Sequence, residues 1–249
     1  MKKRVFLCTY SIATLLLISV LFYFVRVEWY PSFYYSLLEV PNGFFIFALS
    51  LIVIGPIFSA FIFKSEKKNL PNDLLVVVLL QMATLLIGVH RLYSERPLFL
   101  VFSVDRFVVV TANSIDQHSI SPLVMLDRVA TNTPILVAAH LAKNTDITFM
   151  LEVLRGGPDI ELRPDLYEPI DYQLNQMKVK GRTWDAICVK FPQLADDQII
   201  KENNIDTRNM LGYPLVNSKS RDHIILFDMD KLKPVLVIDV SPWALLKDS

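Results

Sequence analysis

Three long apolar runs in the first 93 residues constrain this chain more than any other feature. Val5–Val25, Gly43–Phe63 and Leu74–His90 contain no Asp, Glu, Lys or Arg. The first two have 21 residues each and the third has 17. At about 1.5 Å of rise per residue, the longer runs reach about 31 Å, the hydrocarbon thickness of a bilayer. The third is at the short end for a span, and snorkelling by Arg91 with an interfacial Tyr93 extends it. The sequence therefore predicts three transmembrane helices, over about 5–25, 43–63 and 74–93. Lys2, Lys3 and Arg4 before an apolar run also suit a signal peptide. This run is too long for one, and Phe22, Tyr23 and Phe24 stand where small cleavage-site residues belong. An uncleaved anchor is expected.

Orientation follows from the basic residues in the flanks. Three precede the first span (Lys2, Lys3, Arg4), one follows it (Arg26), and three lie in the second loop (Lys64, Lys67, Lys68). Positive charge stays inside, so the N-terminus and second loop are expected in the cytoplasm and everything after the third span outside. For a bacterium this is an inner-membrane protein with a periplasmic domain over residues 94–249.

The formal net charge of zero divides unevenly. Up to Tyr93 there are eight Lys and Arg against four acids; from Ser94 onward there are 17 against 21. A mildly acidic exported domain argues against nucleic acid, which calls for a basic patch. The two cysteines, Cys8 in the first span and Cys188 in the domain, lie at opposite ends of the topology. The domain is therefore expected to rely on its core rather than on a disulfide, and Cys188 reads as a small apolar residue. No Asp, Glu, Lys or Arg lies deep in a span, which weighs against a pump or proton relay. Gly55-Pro56 predicts a kink or a close-contact notch. Gln81 predicts a hydrogen bond to a neighbouring helix. Trp29, Tyr30, Tyr34 and Tyr35 in the first loop suit the headgroup level, ring below and polar tip above.

After Ser94 the pattern changes. Leu98–Val104, Phe107–Thr111 and Pro134–Leu141 read as strands. Asn144 begins a helical pattern that stops at Gly156-Gly157. Tyr172–Val179 and Leu194–Asn203 read as short helices. Ile224–Phe227 and Val235–Val240 form an expected hairpin. The predicted fold class is membrane-anchored α+β: three transmembrane helices, then an α+β domain with a mainly antiparallel sheet.

No residue pattern points to catalysis. The histidines at 90, 118, 140 and 223 form no HExxH, and there is no CxxC, GxSxG, P-loop or GxGxxG. The expectation is a non-enzyme with no cofactor and no small-molecule substrate. A membrane-tethered enzyme is the alternative, with Ser103, Asp105 and His140 as its candidate polar set. A structural subunit of another envelope complex is a further alternative. The stretch Ser103-Val104-Asp105-Arg106 is unusual because charges sit inside apolar sequence. Strand alternation puts Ser103 and Asp105 on one face and turns Arg106 to the other, so Asp105 and Arg106 are expected not to pair directly. The stretch lacks the Gly or Asn of a tight hairpin. A long or bent central strand is expected.

These residues also carry a resemblance. Gly55-Pro56, Phe63-Lys64 with Lys67-Lys68, Asp73-Leu74, Leu80-Gln81, Arg96-Pro97 and Val104-Asp105-Arg106-Phe107 resemble the TfpX/TfpZ (FimB-like) family of type IV pilin accessory proteins. Arg163–Ile170 and Pro242-Trp243 look similar too. The resemblance implies an inner-membrane factor that assists one cognate type IV pilin, as a pilin-selective chaperone or assembly modulator, alongside other pilus assembly proteins. It supplies no active-site residues. Gln81, Arg96, Asp105 and Arg106 are the candidates for partner contact, with Asp105 and Arg106 expected first in a pinning interaction with partners elsewhere in the fold and second in contact with a pilin. Gln81 is the eighth residue of the third run, about 10 Å deep, where it could donate to a glutamate that such pilins carry in their membrane helix.

Overall fold

The computed structural model describes residues 3–62, 70–115, 134–140, 151, 153–194, 206–216 and 222–243. The basic loop Lys64–Lys68, the helix start at Asn144 and most of the helix expected over Leu194–Asn203 lie outside these residues. The chain divides into two compact units, Met1–Arg96 and Pro97–Ser249.

In the first unit, helix α1 (Lys3–Tyr23) runs on into a π-helical turn, Phe24–Trp29. A short helix α2 (Tyr34–Leu37) follows, then α3 (Val40–Ile52), a second π-helical turn (Val53–Ile57), α4 (Phe58–Ile62) and α5 (Leu70–Ser94). Among the described residues, three stretches are long and apolar enough to cross a membrane: Arg4–Trp29, Val40–Ile62 and Asn72–Ser94. The second π-helical turn contains Pro56. Proline has no N–H to donate and its ring crowds the preceding turn, so the helix widens there. Two rings of the aromatic first loop pack against their own unit. Tyr30 is 1% exposed and Tyr34 is also buried within this unit. The Tyr30 hydroxyl donates to the Leu92 carbonyl at 2.7 Å. Ser32 and Glu39 in this loop both adopt φ +54°.

The second unit is built on one sheet. Its strands are β1 (Pro97–Ser103), β2 (Arg106–Thr111), β3 (Ile135–Ala139), β4 (Tyr167–Pro169), β5 (Arg182–Thr183), β6 (Met210–Val216), β7 (His223–Asp228) and β8 (Lys233–Ile238). Their order is β4-β3-β1-β2-β6-β7-β8, with β5 paired to β6. Two helices, α6 (Leu174–Lys180) and α7 (Trp184–Lys190), lie between β4 and β6 in the chain. Most pairings are antiparallel, but β1 with β3 and β2 with β6 run parallel. The sheet is therefore mixed rather than mainly antiparallel. Both parallel pairings follow long connections, the kind of crossover that parallel neighbours need.

β1 is buried at every position from Pro97 to Ser103, as a central strand should be. One face packs Phe99 and Val101 with Val110, Val137 and Tyr167. On the other, Phe107 stacks on Phe227 at 5.3 Å and meets Phe102 and Tyr213 at 5.3 Å each. The Tyr213 hydroxyl donates to the Met177 carbonyl at 2.9 Å, giving this buried polar tip a partner. α7 packs over β6 because Gly212 has no side chain: a Cβ there would run into Ile187 Cδ1. The C-terminal hairpin is present as expected, with β7 antiparallel to β8. Its turn is held by Asp228, whose Oδ1 accepts from the Asp230 and Lys231 backbone N–H groups at 3.0 Å each. The expected glycine stop is also present. Gly156 takes φ +92° and its N–H donates to the Val153 carbonyl at 2.9 Å.

Candidate partner-contact sites

The four candidate residues fall into separate settings. Gln81 and Arg96 belong to the helical unit; Asp105 and Arg106 belong to the sheet unit.

Gln81 is only 8% exposed. Its Oε1 accepts from the Tyr10 hydroxyl, and its Nε2 donates to Thr14 Oγ1 at 3.4 Å. Tyr10 and Thr14 are one α-helical turn apart on α1, so both face the same neighbour. The glutamine amide fills a notch at Gly55. A Cβ there would lie 2.8 Å from Gln81 Cδ and 2.9 Å from its Nε2. Gly55, the widened turn at Pro56 and Gln81 thus form one arrangement, and α1, the second span and α5 meet at it. A second notch lies at Gly88, where a Cβ would lie 2.8 Å from Phe47 Cζ. Arg96, by contrast, is engaged at the end of α5. Its guanidinium carbon sits 3.5 Å from the Tyr93 ring centroid, and Nη1 donates to the Tyr93 carbonyl at 2.6 Å.

Asp105 and Arg106 correct the sequence reading. The chain does not continue as a long strand; it reverses at Val104-Asp105, and Ser103 pairs with Arg106 across a tight hairpin. The Asp105 N–H donates to the Ser103 carbonyl at 2.7 Å, and Val104 between them takes φ +58°. This is a γ-turn of the rarer hand, normally avoided by a β-branched residue. The reversal changes parity. Arg106 now shares a face with Ser103, and Phe107 shares one with Phe102. Asp105 lies in the turn, where strand alternation does not apply, and it pairs directly with Arg106, Nε to Oδ1 at 2.8 Å. Both side chains are partly exposed, so the pair adds little stability.

Two further residues, not singled out as contacts from the sequence, complete this tip. Gln176 on α6 donates from Nε2 to the Val104 carbonyl at 2.8 Å. The Trp243 ring lies 5.5 Å from the Arg106 guanidinium, and its indole N–H donates to Asp222 Oδ2 at 2.7 Å. The motif residues Val104–Phe107 and Pro242-Trp243, far apart in sequence, therefore meet. The other motif stretch is structural: Arg163 pairs with Asp165 at 3.1 Å, and Tyr167 packs edge-on against Phe99 at 5.2 Å. The Arg163 hydrogen bond holds the Asp165 carboxyl below its ordinary range.

The polar set Ser103, Asp105 and His140 lies at the end of β1, in the β1–β2 turn and just after β3. Ser103 is buried in register with Ala139, Asp105 is turned to Arg106, and His140, one residue beyond Ala139, is exposed. Cys188 is half-buried on α7, where burial and then the Asp185 charge push its thiol up, away from ready ionisation.

Three apolar helices of spanning length followed by a mixed α+β sheet unit define an architecture consistent with membrane anchoring. Over 240 residues, 90% of this chain and 88% of the relative, the sequence is 22% identical to "Fimbrial assembly protein, serogroup I" of Dichelobacter nodosus. No model of a protein family matches the chain, and no solved structure does.

Proposed function

We propose that this protein is an inner-membrane accessory factor of type IV pilus biogenesis. It binds its cognate pilin and assists the pilin's stability or assembly, as members of the TfpX/TfpZ family are thought to do. The observation that carries this reading is the likeness to a fimbrial assembly protein over 90% of the chain, since that length takes in both units. The spanning helices supply a place for an apolar pilin helix. The sheet unit, exported by the positive-inside pattern of the flanks, supplies a surface for the pilin head. Gln81 is the candidate donor to a polar group on the pilin helix, and it would exchange its Tyr10 and Thr14 partners to serve there.

Co-purification from membranes made with and without the pilin tests the reading. The pilin should be recovered with this protein, and deleting the protein should reduce pili only where the cognate pilin is present. Recovery of other envelope machinery with no preference for pilin would refute it. A photo-crosslinker at position 81 tests the glutamine. Adducts confined to this protein's own helices, in cells making pilin, would remove Gln81 from the contact.

A further inference from the structure

The first span ends in a π-helical turn without the proline that accounts for the second. The turn in the second span holds Pro56, whereas Phe24–Trp29 contains no proline. It is closed by the Tyr30 N–H, which donates to the Val25 carbonyl at 2.9 Å. Single π-helical turns frequently mark functional sites. This one carries two charged residues, Arg26 and Glu28. Glu28 is already engaged, and among the described residues no carboxylate pairs with Arg26. Arg91, Arg106, Arg163 and Arg208, by contrast, each sit within 3.3 Å of a carboxylate.

Arg26 is half-buried, and its guanidinium carbon lies 5.4 Å from the Tyr35 ring centroid. Phe22 packs edge-on against the same ring at 6.3 Å. The depth of this group follows from its neighbours. Trp29 closes the stretch Arg4–Trp29, and Tyr93 lies at the end of Asn72–Ser94. The two rings meet edge-on at 5.3 Å, so the first and third spans end at one level. Trp and Tyr at span ends mark the headgroup level of a bilayer. Arg26, one turn before Trp29, therefore lies at the inner margin of that level, where its long side chain reaches up to lipid phosphate. A guanidinium presents a planar fork of N–H donors that matches phosphate oxygens, and here the Tyr35 ring lies on one side of it. A cation with no counter-ion in the protein favours a headgroup of net negative charge.

Resting on the membrane placement of the spans in the function proposed above, we infer that Arg26, backed by Tyr35, binds the phosphate of an anionic phospholipid at the end of the first span. The π-helical turn holds Arg26 in place to do so.

Phosphatidylglycerol, titrated into the purified full chain in neutral detergent and counted by native mass spectrometry, tests this. Arg26→Gln should weaken one of the lipid-binding events about fivefold, the factor expected for one cation at a membrane surface. Arg26→Lys, which keeps the charge but not the planar fork, should fall between Arg26→Gln and wild type. Phosphatidylcholine should bind the wild type more weakly than phosphatidylglycerol does. A photoactivatable phosphatidylglycerol should label residues 22–35 of the wild type, a readout independent of any loss of fold in the variants. Adducts confined to other residues overturn the inference and leave the proposed function standing. So does equal phosphatidylglycerol affinity in wild type and Arg26→Gln, or equal affinity of the wild type for the two lipids. Displacement of phosphatidylglycerol by inorganic phosphate would make the site one for a soluble anion. Lower pilin recovery by Arg26→Gln with lipid binding unchanged would make it a pilin contact. Either result overturns the inference. A wild type that stays in solution without detergent or lipid overturns the membrane placement and the inference together.

Discussion

Placing a methyl group at Gly55 should push Gln81 out of its notch. A Cβ there would lie 2.8 Å from Gln81 Cδ and 2.9 Å from Nε2, and closer still to Oε1, so the amide must move. Moving it breaks the hydrogen bonds to Tyr10 and Thr14. Side-chain hydrogen bonds between membrane helices average about 0.6 kcal/mol, so the two are worth about 1.2 kcal/mol. Overpacking adds about 1–3 kcal/mol, and the better helix propensity of Ala returns up to about 1 kcal/mol. Gly55→Ala should therefore destabilise the helical unit by about 1–4 kcal/mol. Gln81→Ala alone loses the same two bonds and leaves a void beside Gly55. The double variant puts the new methyl into that void, so its loss should fall short of the sum of the singles by about 1 kcal/mol or more. SDS-induced unfolding in mild detergent, run on the four proteins of the cycle, reads the coupling. Additivity within about 0.5 kcal/mol would refute the wedge, because sites that do not touch add to that accuracy.

Three further outcomes follow from the sheet unit. Gly212→Ala should cost about 1–3 kcal/mol by driving a methyl into Ile187 Cδ1, and Ile187→Val, which removes that atom, should restore part of the loss; thermal unfolding of the single and double variants checks this. The Asp228 carboxyl is held below its ordinary value, first by the Lys231 N–H and then opposed by burial. A depressed carboxylate stabilises the fold above the unfolded-state value, about pH 4, and loses that contribution as pH falls through the folded value. The protection of the Asp230 and Lys231 amides in hydrogen exchange should accordingly drop below about pH 4 and become insensitive to acid in Asp228→Asn. Cys188, its thiol pushed up by burial and by Asp185, should react with a maleimide more slowly than a free cysteine near neutral pH, and Asp185→Asn should speed the reaction.

The helical unit was the most legible part of the chain, because a bilayer demands long uninterrupted apolar runs and little else imitates them. The strands of the central hairpin were also visible, since β1 is buried on both faces and reads as a continuous apolar run. The turn joining them was not. Rules for two-residue reversals look for Gly or Asn, and here Val104 takes the positive φ because a distant residue, Gln176, holds its carbonyl. Strand β6 was missed for a related reason. Gly212 and Pro214 read as breakers, yet Gly212 makes room for Ile187. Pro214 nevertheless sits inside β6, in register with Ile224 of β7. Helix α7 carried a usable signal that went unread: Thr183 caps it, accepting from the Ala186 N–H at 3.4 Å. The parallel pairings were beyond local patterning, because they depend on where long connections return.

The candidate contacts change meaning once their partners are known. As sequence, Asp105 and Arg106 stand out as charges among apolar residues, which points first to a pinning ion pair within the fold and second to contact with a partner. In the fold they are matched to each other, and Trp243 lies beside Arg106. Using either one to bind a charged group would first require breaking a 2.8 Å ion pair, with little gained at a partly exposed site. The same reasoning applies to Gln81, whose buried amide already has two partners. It can serve a partner only by exchange, which an ionised or strongly accepting group would favour most. Local geometry and residue type disagree most sharply at Val104, a β-branched residue held at φ +58° in the turn beside the Asp105–Arg106 ion pair.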